Sequence, residues 1–217
     1  MDIPNGVDTA RFAPATAAER TAARQRLGLP HGGRLTTFVG FWSREKGPHV
    51  VLDAWLRTRG SDDALLFLGA TDPSHLEVNR ELLAEARDRI AAAGVDAQVR
   101  FVEHSDDVAS ILKASDIFAV PSAREGMSNA LLEAMATGLP CVTGRIAGVS
   151  DALIDEGVNG FAVTPGDAGG LADIFRRLSA DDVRASVGAR ARATVVERFA
   201  LEAVARRYID LYAELML

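Results

Sequence analysis

Short apolar runs alternate along the chain with longer stretches of helical period. Residues 35–40 (LTTFVG), 64–69 (ALLFLG), 98–102 (QVRFV), 116–120 (DIFAV) and 140–143 (PCVT) are each too short for a helix and lie near turn residues. Each therefore predicts a buried strand, and residues 161–163 (FAV) predict a sixth. Between the runs the period lengthens. In SHLEVNRELLAEARDRIAAAG, Leu76, Leu83, Ala86 and Ile90 fall on one helical face and Gly94 supplies a stop. Leu171, Ile174, Phe175 and Leu178 share a helical face, as do Val204, Tyr208, Leu211, Tyr212 and Leu215. The Ala-rich PATAAERTAAR predicts a helix opening near Ala17, and PHGG at 30–33 a turn before the first strand.

Strands buried on both faces and alternating with helices predict an α/β fold, a parallel sheet sandwiched by helices. Right-handed crossovers make that a single Rossmann-like, doubly wound sheet. Ligands of such sheets bind beyond the carboxyl ends of the strands, which directs attention to the loops after Gly40, Val102 and Val120.

The first loop, GFWSREKGPHVV, carries Arg44 and Lys46 ahead of a helix opened by Gly47 and Pro48. Basic side chains beside free helical N–H groups attract phosphate, although a solvated turn would look the same. Neither a Walker loop nor G-x-G-x-x-G is present. In the second loop, Ser105 or Asp106 can cap the following helix. The third, REGMSNALLEAMATGLP, starts a helix at Ser128 or Asn129 and ends it at Gly138-Leu-Pro140. Glu125 then lies just before the helix and Glu133 a little over one turn inside it, with the unpaired first-turn amides between them. Two carboxylates with an anion site between them suit an extended polyol–anion ligand. Glu133 alone reads equally as a solvent-facing helical residue.

Composition narrows the classes. A net charge of −6 argues against a general nucleic-acid surface. A lone cysteine, Cys141, excludes an internal disulfide and a cysteine zinc site, and fits a reducing compartment. No apolar run reaches the ~18–20 residues of a membrane span, and the start, MDIPNGVDTARF, lacks the pattern of a secretory signal. A cytoplasmic location follows as the expectation, with peripheral contact at the inner face of a membrane compatible with it. His31, His49, His75 and His104 are scattered, and only His49 and His104 fall near ligand loops. Trp42 could stack on a ligand or pack on a second domain. Asn5 and Asp8 read as turn formers.

The segment REGMSNALLEAMATGLPCV resembles the signature of the retaining glycosyltransferases of family four, which have the GT-B fold. IPNGVDTARF resembles that family's inter-domain crossover, FVGFWSREKG its phosphate loop, and AGVSDALIDEGVNGFAVTPGD and ERFALEAVARRYIDLY its closing segments. The resemblance spans nearly the whole chain. It implies the donor-binding, C-terminal half of a GT-B enzyme over residues 1–217, with a crossover at 1–16 and a terminal helix at 200–217 that packs back on the other half. It further implies hexosyl transfer (EC 2.4) from a UDP- or GDP-linked sugar, without a metal or other cofactor.

By the same resemblance, Glu125 contacts the donor sugar, and Gly126, Met127, Ser128 and Asn129 offer amides to sugar and distal phosphate. Glu133 binds the ribose. Lys46, in the loop with Gly40 and Arg44, pairs with the diphosphate, and Glu103, His104 and Ser105 face the base. The catalytic pair is Glu125 and Lys46. Phe41 stands where the family commonly has arginine, so either Arg44 supplies that charge or diphosphate binding is weaker. The resemblance leaves the N-terminal acceptor half unmatched, and Met1 opens an engineered piece, a natural fragment or one chain of a split enzyme. The isolated chain is then expected to bind nucleotide and transfer little. A module that docks on a partner chain without turnover is the alternative. A dinucleotide oxidoreductase is disfavoured for want of the glycine fingerprint.

Overall fold

The computed structural model describes residues 4–30, 32–69, 71–72 and 75–216. Met1 and His31 lie outside the described residues. Six strands form in the expected places: β1 Leu35–Val39, β2 Ala64–Leu68, β3 Val99–Val102, β4 Ile117–Val120, β5 Cys141–Gly144 and β6 Phe161–Val163. All pair in parallel, in the order β3-β2-β1-β4-β5-β6. This is the doubly wound Rossmann order, and its direction reverses between β1 and β4.

Eight helices surround the sheet among the described residues: α1 Ala17–Arg26, α2 Pro48–Leu56, α3 Arg80–Ala92, α4 Val108–Ala114, α5 Asn129–Ala136, α6 Ala168–Arg177, α7 Asp181–Arg198 and α8 Leu201–Leu215. Side-chain alternation in β2 sorts the two layers. Leu65 and Phe67 join the large core with Phe38 and Val51, while Ala64, Leu66 and Leu68 join a smaller cluster with Ala23, Ile111 and Ala114 of α1 and α4. Each fully buried Leu or Phe contributes about 1.5–3 kcal/mol, and both sheet faces carry several. Cys141 is buried in β5, and that burial pushes its thiol well above the usual range.

Two helix starts differ from the sequence expectation. α3 begins at Arg80, where the Asn79 side chain accepts from the Leu82 amide at 2.9 Å. Leu76 lies before this cap and is fully exposed, and Leu82 joins Leu83, Ala86 and Ile90 on the buried face instead. α4 is capped by Asp107, not Asp106 or Ser105; its carboxylate accepts from Ser110 N–H at 3.0 Å. The long α7 had no distinct apolar period to announce it, because small residues and arginines fill much of it. α8 buries Val204 but leaves Tyr208, Ile209, Tyr212 and Leu215 exposed. No described helix is long and apolar enough to cross a membrane.

The two ends of the sheet are closed differently. At the amino end, carboxylates do it: Asp116 accepts from the Leu35 amide at 2.7 Å and from Arg20 and Arg24, and Asp63 accepts from the Arg34 amide at 2.8 Å. At the carboxyl end, backbones meet through glycines. A Cβ on Gly69 would stand 2.2 Å from the Gly40 carbonyl oxygen, and one on Gly144 only 1.8 Å from that of Ser122. Gly144→Ala should therefore lower the unfolding free energy by about 1–3 kcal/mol or more, as overpacking does. A urea titration would show a lower midpoint at an unchanged slope.

Candidate active site

At the reversal point the loops after β1 and β4 leave in different directions and open a crevice. The loop after β1 is anchored by Trp42. Its ring is fully buried, with centroids 4.8 Å from Phe67 and 5.6 Å from Phe101. Trp42 is thus a core residue, neither a ligand platform nor an inter-domain contact. Phe41 beside it is exposed.

The same loop is fastened to the one after β4. The Ala123 amide donates to the Glu45 carbonyl at 2.7 Å. Gly47 leaves no room for a side chain against Pro121, since a Cβ would lie 3.1 Å from the Pro121 carbonyl oxygen in a left-handed conformation. Across this seam Lys46 Nζ donates to Glu125 Oε1 at 2.7 Å. Ser122, itself fully buried, donates to the same oxygen at 3.0 Å. Glu125 Oε2 has no partner among the described residues. Both charges are largely shielded from solvent, so removing either leaves the other poorly compensated.

Beyond Glu125 the chain turns into α5, capped by the Ser128 hydroxyl, which accepts from the Leu131 amide at 3.3 Å. The amides of Gly126, Met127, Ser128 and Asn129 have no acceptor among the described residues. Glu125, Gly126, Met127 and Ser128 line a cavity of about 110 Å³ that continues to Gly144 and Val149. A second cavity, of about 200 Å³, is lined by Gly40, Phe41, Gly69, Glu103, His104 and Ser105. Lys46 stands between the two. It pairs with Glu125 of the first, and its Cβ is 3.9 Å from where a Cβ would sit on Gly40 of the second.

The remaining candidates take other places. Glu103 accepts from the Asp72 amide at 2.8 Å, and exposed His104 meets Asp106 at 2.9 Å. Arg44 is exposed and lines neither cavity; it lies near His49, where burial first and then this guanidinium push the imidazole toward its neutral form. Glu133 also lines neither cavity. It is partly buried on α5, and burial raises its pKa above the ordinary value while Arg11 opposes the shift. Arg11 donates to the Asp106 carbonyl at 3.3 Å, which links Glu133's surroundings to the loop after β3. Among the described residues no group of three His, Cys, Asp or Glu side chains could hold a metal ion.

Two contributors escaped the sequence reading. Ser122 carries a visible signal, a serine three residues before Glu125 just past a strand. Asn5 carries none. Asp8 makes the expected turn by accepting from Ala10 and Arg11 amides, but Asn5 donates to Met127, far along the chain.

Residues 33–181 match the family model for group 1 glycosyl transferases. The chain belongs to this glycosyltransferase family. It is 34% identical, over 218 residues, to the D-inositol 3-phosphate glycosyltransferase of Corynebacterium urealyticum, covering 98% of this chain and 50% of that protein. The corresponding protein of Salinispora tropica is also 34% identical, with 98% and 45% covered. The chain thus spans about half the length of the curated relatives it matches. Among solved structures, Anabaena HepE in complex with UDP superposes with a TM-score of 0.86 at 25% identity, covering 98% of this chain and 57% of that one. The C-terminal domain of the group 1 glycosyl transferase LpcC from Francisella tularensis gives 0.80 at 26%, covering 90% of this chain and all of that one. The glycosyltransferase domain here is a C-terminal GT-B domain.

Glu133 yields a test of the site. Its folded-state pKa is raised, so protonation favours the fold, and this stabilisation is lost as pH rises through the folded value. Glu133→Gln should therefore raise the melting temperature at neutral pH. The advantage should shrink on acidification toward about pH 4, where the native carboxyl is itself protonated.

Proposed function

We propose that this chain is the donor-binding half of a retaining glycosyltransferase that uses a UDP-linked hexose. The observation that carries the reading is a run of four amides, Gly126 to Asn129, with no acceptor among the described residues, directly after the carboxylate that Lys46 pairs with at the reversal point of the sheet. Free N–H groups at a helix start and a cation beside them form an anion site. The structural likeness to HepE, solved with UDP and with UDP-glucose, supports a uridine nucleotide in it.

The roles are those that the family resemblance implies, set on this geometry. The diphosphate lies across the amides and draws the Lys46 ammonium from Glu125. Glu125 keeps its bond from Ser122, and its carboxylate accepts from sugar hydroxyls in the cavity beside Gly126. The pocket of Gly40, Glu103, His104 and Ser105 takes the base, and Glu133, on α5 outside both cavities, is given the ribose hydroxyls by the resemblance alone. In the transfer the bond from the anomeric carbon to the distal phosphate oxygen breaks, and its electron pair leaves with UDP. The acceptor oxygen attacks from the same face, and its proton passes to the departing phosphate. Lys46 and the amides stabilise the charge that develops there. The acceptor is held by the other half of the enzyme, so this chain alone turns over little.

Calorimetry with UDP, GDP and ADP tests the reading. UDP should bind, and Lys46→Ala should weaken it by roughly ten-fold or more, the loss of a charge-assisted bond. Arg44→Ala, whose side chain lines neither cavity, should leave UDP affinity within about two-fold, less than the loss of one ordinary hydrogen bond. Binding of none of the three nucleotides would overturn the assignment.

A further inference from the structure

Between the Glu125 anchor and the Ser128 cap lie Gly126 and Met127. Gly126 has open space around it, with nothing within 4 Å of where a Cβ would be. Among the described residues one polar contact steadies this short span, and it comes from the far end of the chain. Asn5 Nδ2 donates to the Met127 carbonyl at 3.2 Å and to Asn129 Oδ1 at 3.0 Å.

Asn5 is itself on a fixed base. The Val7 amide donates to the Phe199 carbonyl at 2.9 Å, and the Leu201 amide donates to the Val7 carbonyl at 3.0 Å. These bonds tie the segment to the α7–α8 junction. Gly6 packs there without a side chain, and a Cβ on it would lie 3.0 Å from Leu201 Cα. Arg192 adds a bond to the Phe12 carbonyl at 3.0 Å. The segment therefore keeps its place independently of the loop it steadies.

A trans peptide unit is planar, with its C=O and N–H pointing in opposite directions. Holding the Met127 carbonyl toward Asn5 turns the Ser128 N–H the other way. We propose that Asn5 is a positioning residue of the diphosphate site, aiming the Ser128 amide at the distal phosphate through its bond to the Met127 carbonyl. The inference rests on the nucleotide-diphosphate reading above. It makes the grip on the second phosphate depend on the segment that precedes α1.

The test is calorimetry on the full chain with UDP and UMP, for the parent, Asn5→Ala and Asn5→Leu, with melting curves alongside. Leucine keeps the branched, four-heavy-atom outline of the asparagine side chain and adds no charge, but it has no donor. Both variants should lose about five- to ten-fold in UDP affinity, the worth of one hydrogen bond, and keep UMP affinity and melting temperature near the parent's. A parallel fall for UMP, or restoration of UDP affinity by leucine, would show general loop support or simple packing and overturn the inference. UDP affinity unchanged in both variants would overturn it while leaving the nucleotide site standing. A parent that binds neither nucleotide would sink both.

Discussion

Right-handed connection of parallel strands is the constraint on which this molecule turns. From β1 the chain moves to β2 on one side, and from β4 it moves to β5 on the other. The same hand applied in opposite directions sends α2 and α5 to opposite faces of the sheet. Their first residues must then part above the sheet, and the gap between them is where Lys46 and Glu125 stand. Helix starts and strand ends bring unpaired N–H groups to that gap without special effort. The core on both faces holds the frame rigid, so the site needs few residues of its own.

Within that frame, charge is placed with economy. Lys46 and Glu125 neutralise each other, which lowers the cost of keeping both partly buried. The buried Ser122 hydroxyl shares the same carboxylate oxygen and leaves the second oxygen available to a ligand. Glu133 is treated differently. It sits on a mostly buried helix where the Arg11 charge only partly offsets its desolvation, so it is a local weakness in the fold. A carboxylate kept in such a position makes sense where a ligand supplies the missing hydrogen-bond donors.

The strands were legible because burial on both faces leaves an unbroken apolar run, a signal independent of distant contacts. The start of α5 was legible for a similar reason: Ser128 caps it by a bond three residues away. Where the outcome hinges on tertiary packing, the sequence misleads. Trp42 sits in a polar loop, yet the rings of Phe67 and Phe101 from neighbouring strands capture it. Leu76 fits the helical period, yet Asn79 caps a later start and strands it outside. Asp107 displaced its neighbours as the cap of α4 because three adjacent residues could all do so, and local pattern does not rank them. Asn5 is the extreme case, since both of its partners lie more than a hundred positions away.

The glycines beneath the crevice divide the molecule into parts that evolution can and cannot edit. Gly69 presses on Gly40, and Gly144 on Ser122, backbone to backbone. A side chain added at Gly69 or Gly144 collides with main chain, which has no rotamer to escape into. Change in what the crevice accepts is thereby channelled to its rim, to the tips at 103–105 and 145–152. A new substrate preference can be acquired in those loops while the floor beneath stays as it is, which lets one scaffold diversify without being rebuilt.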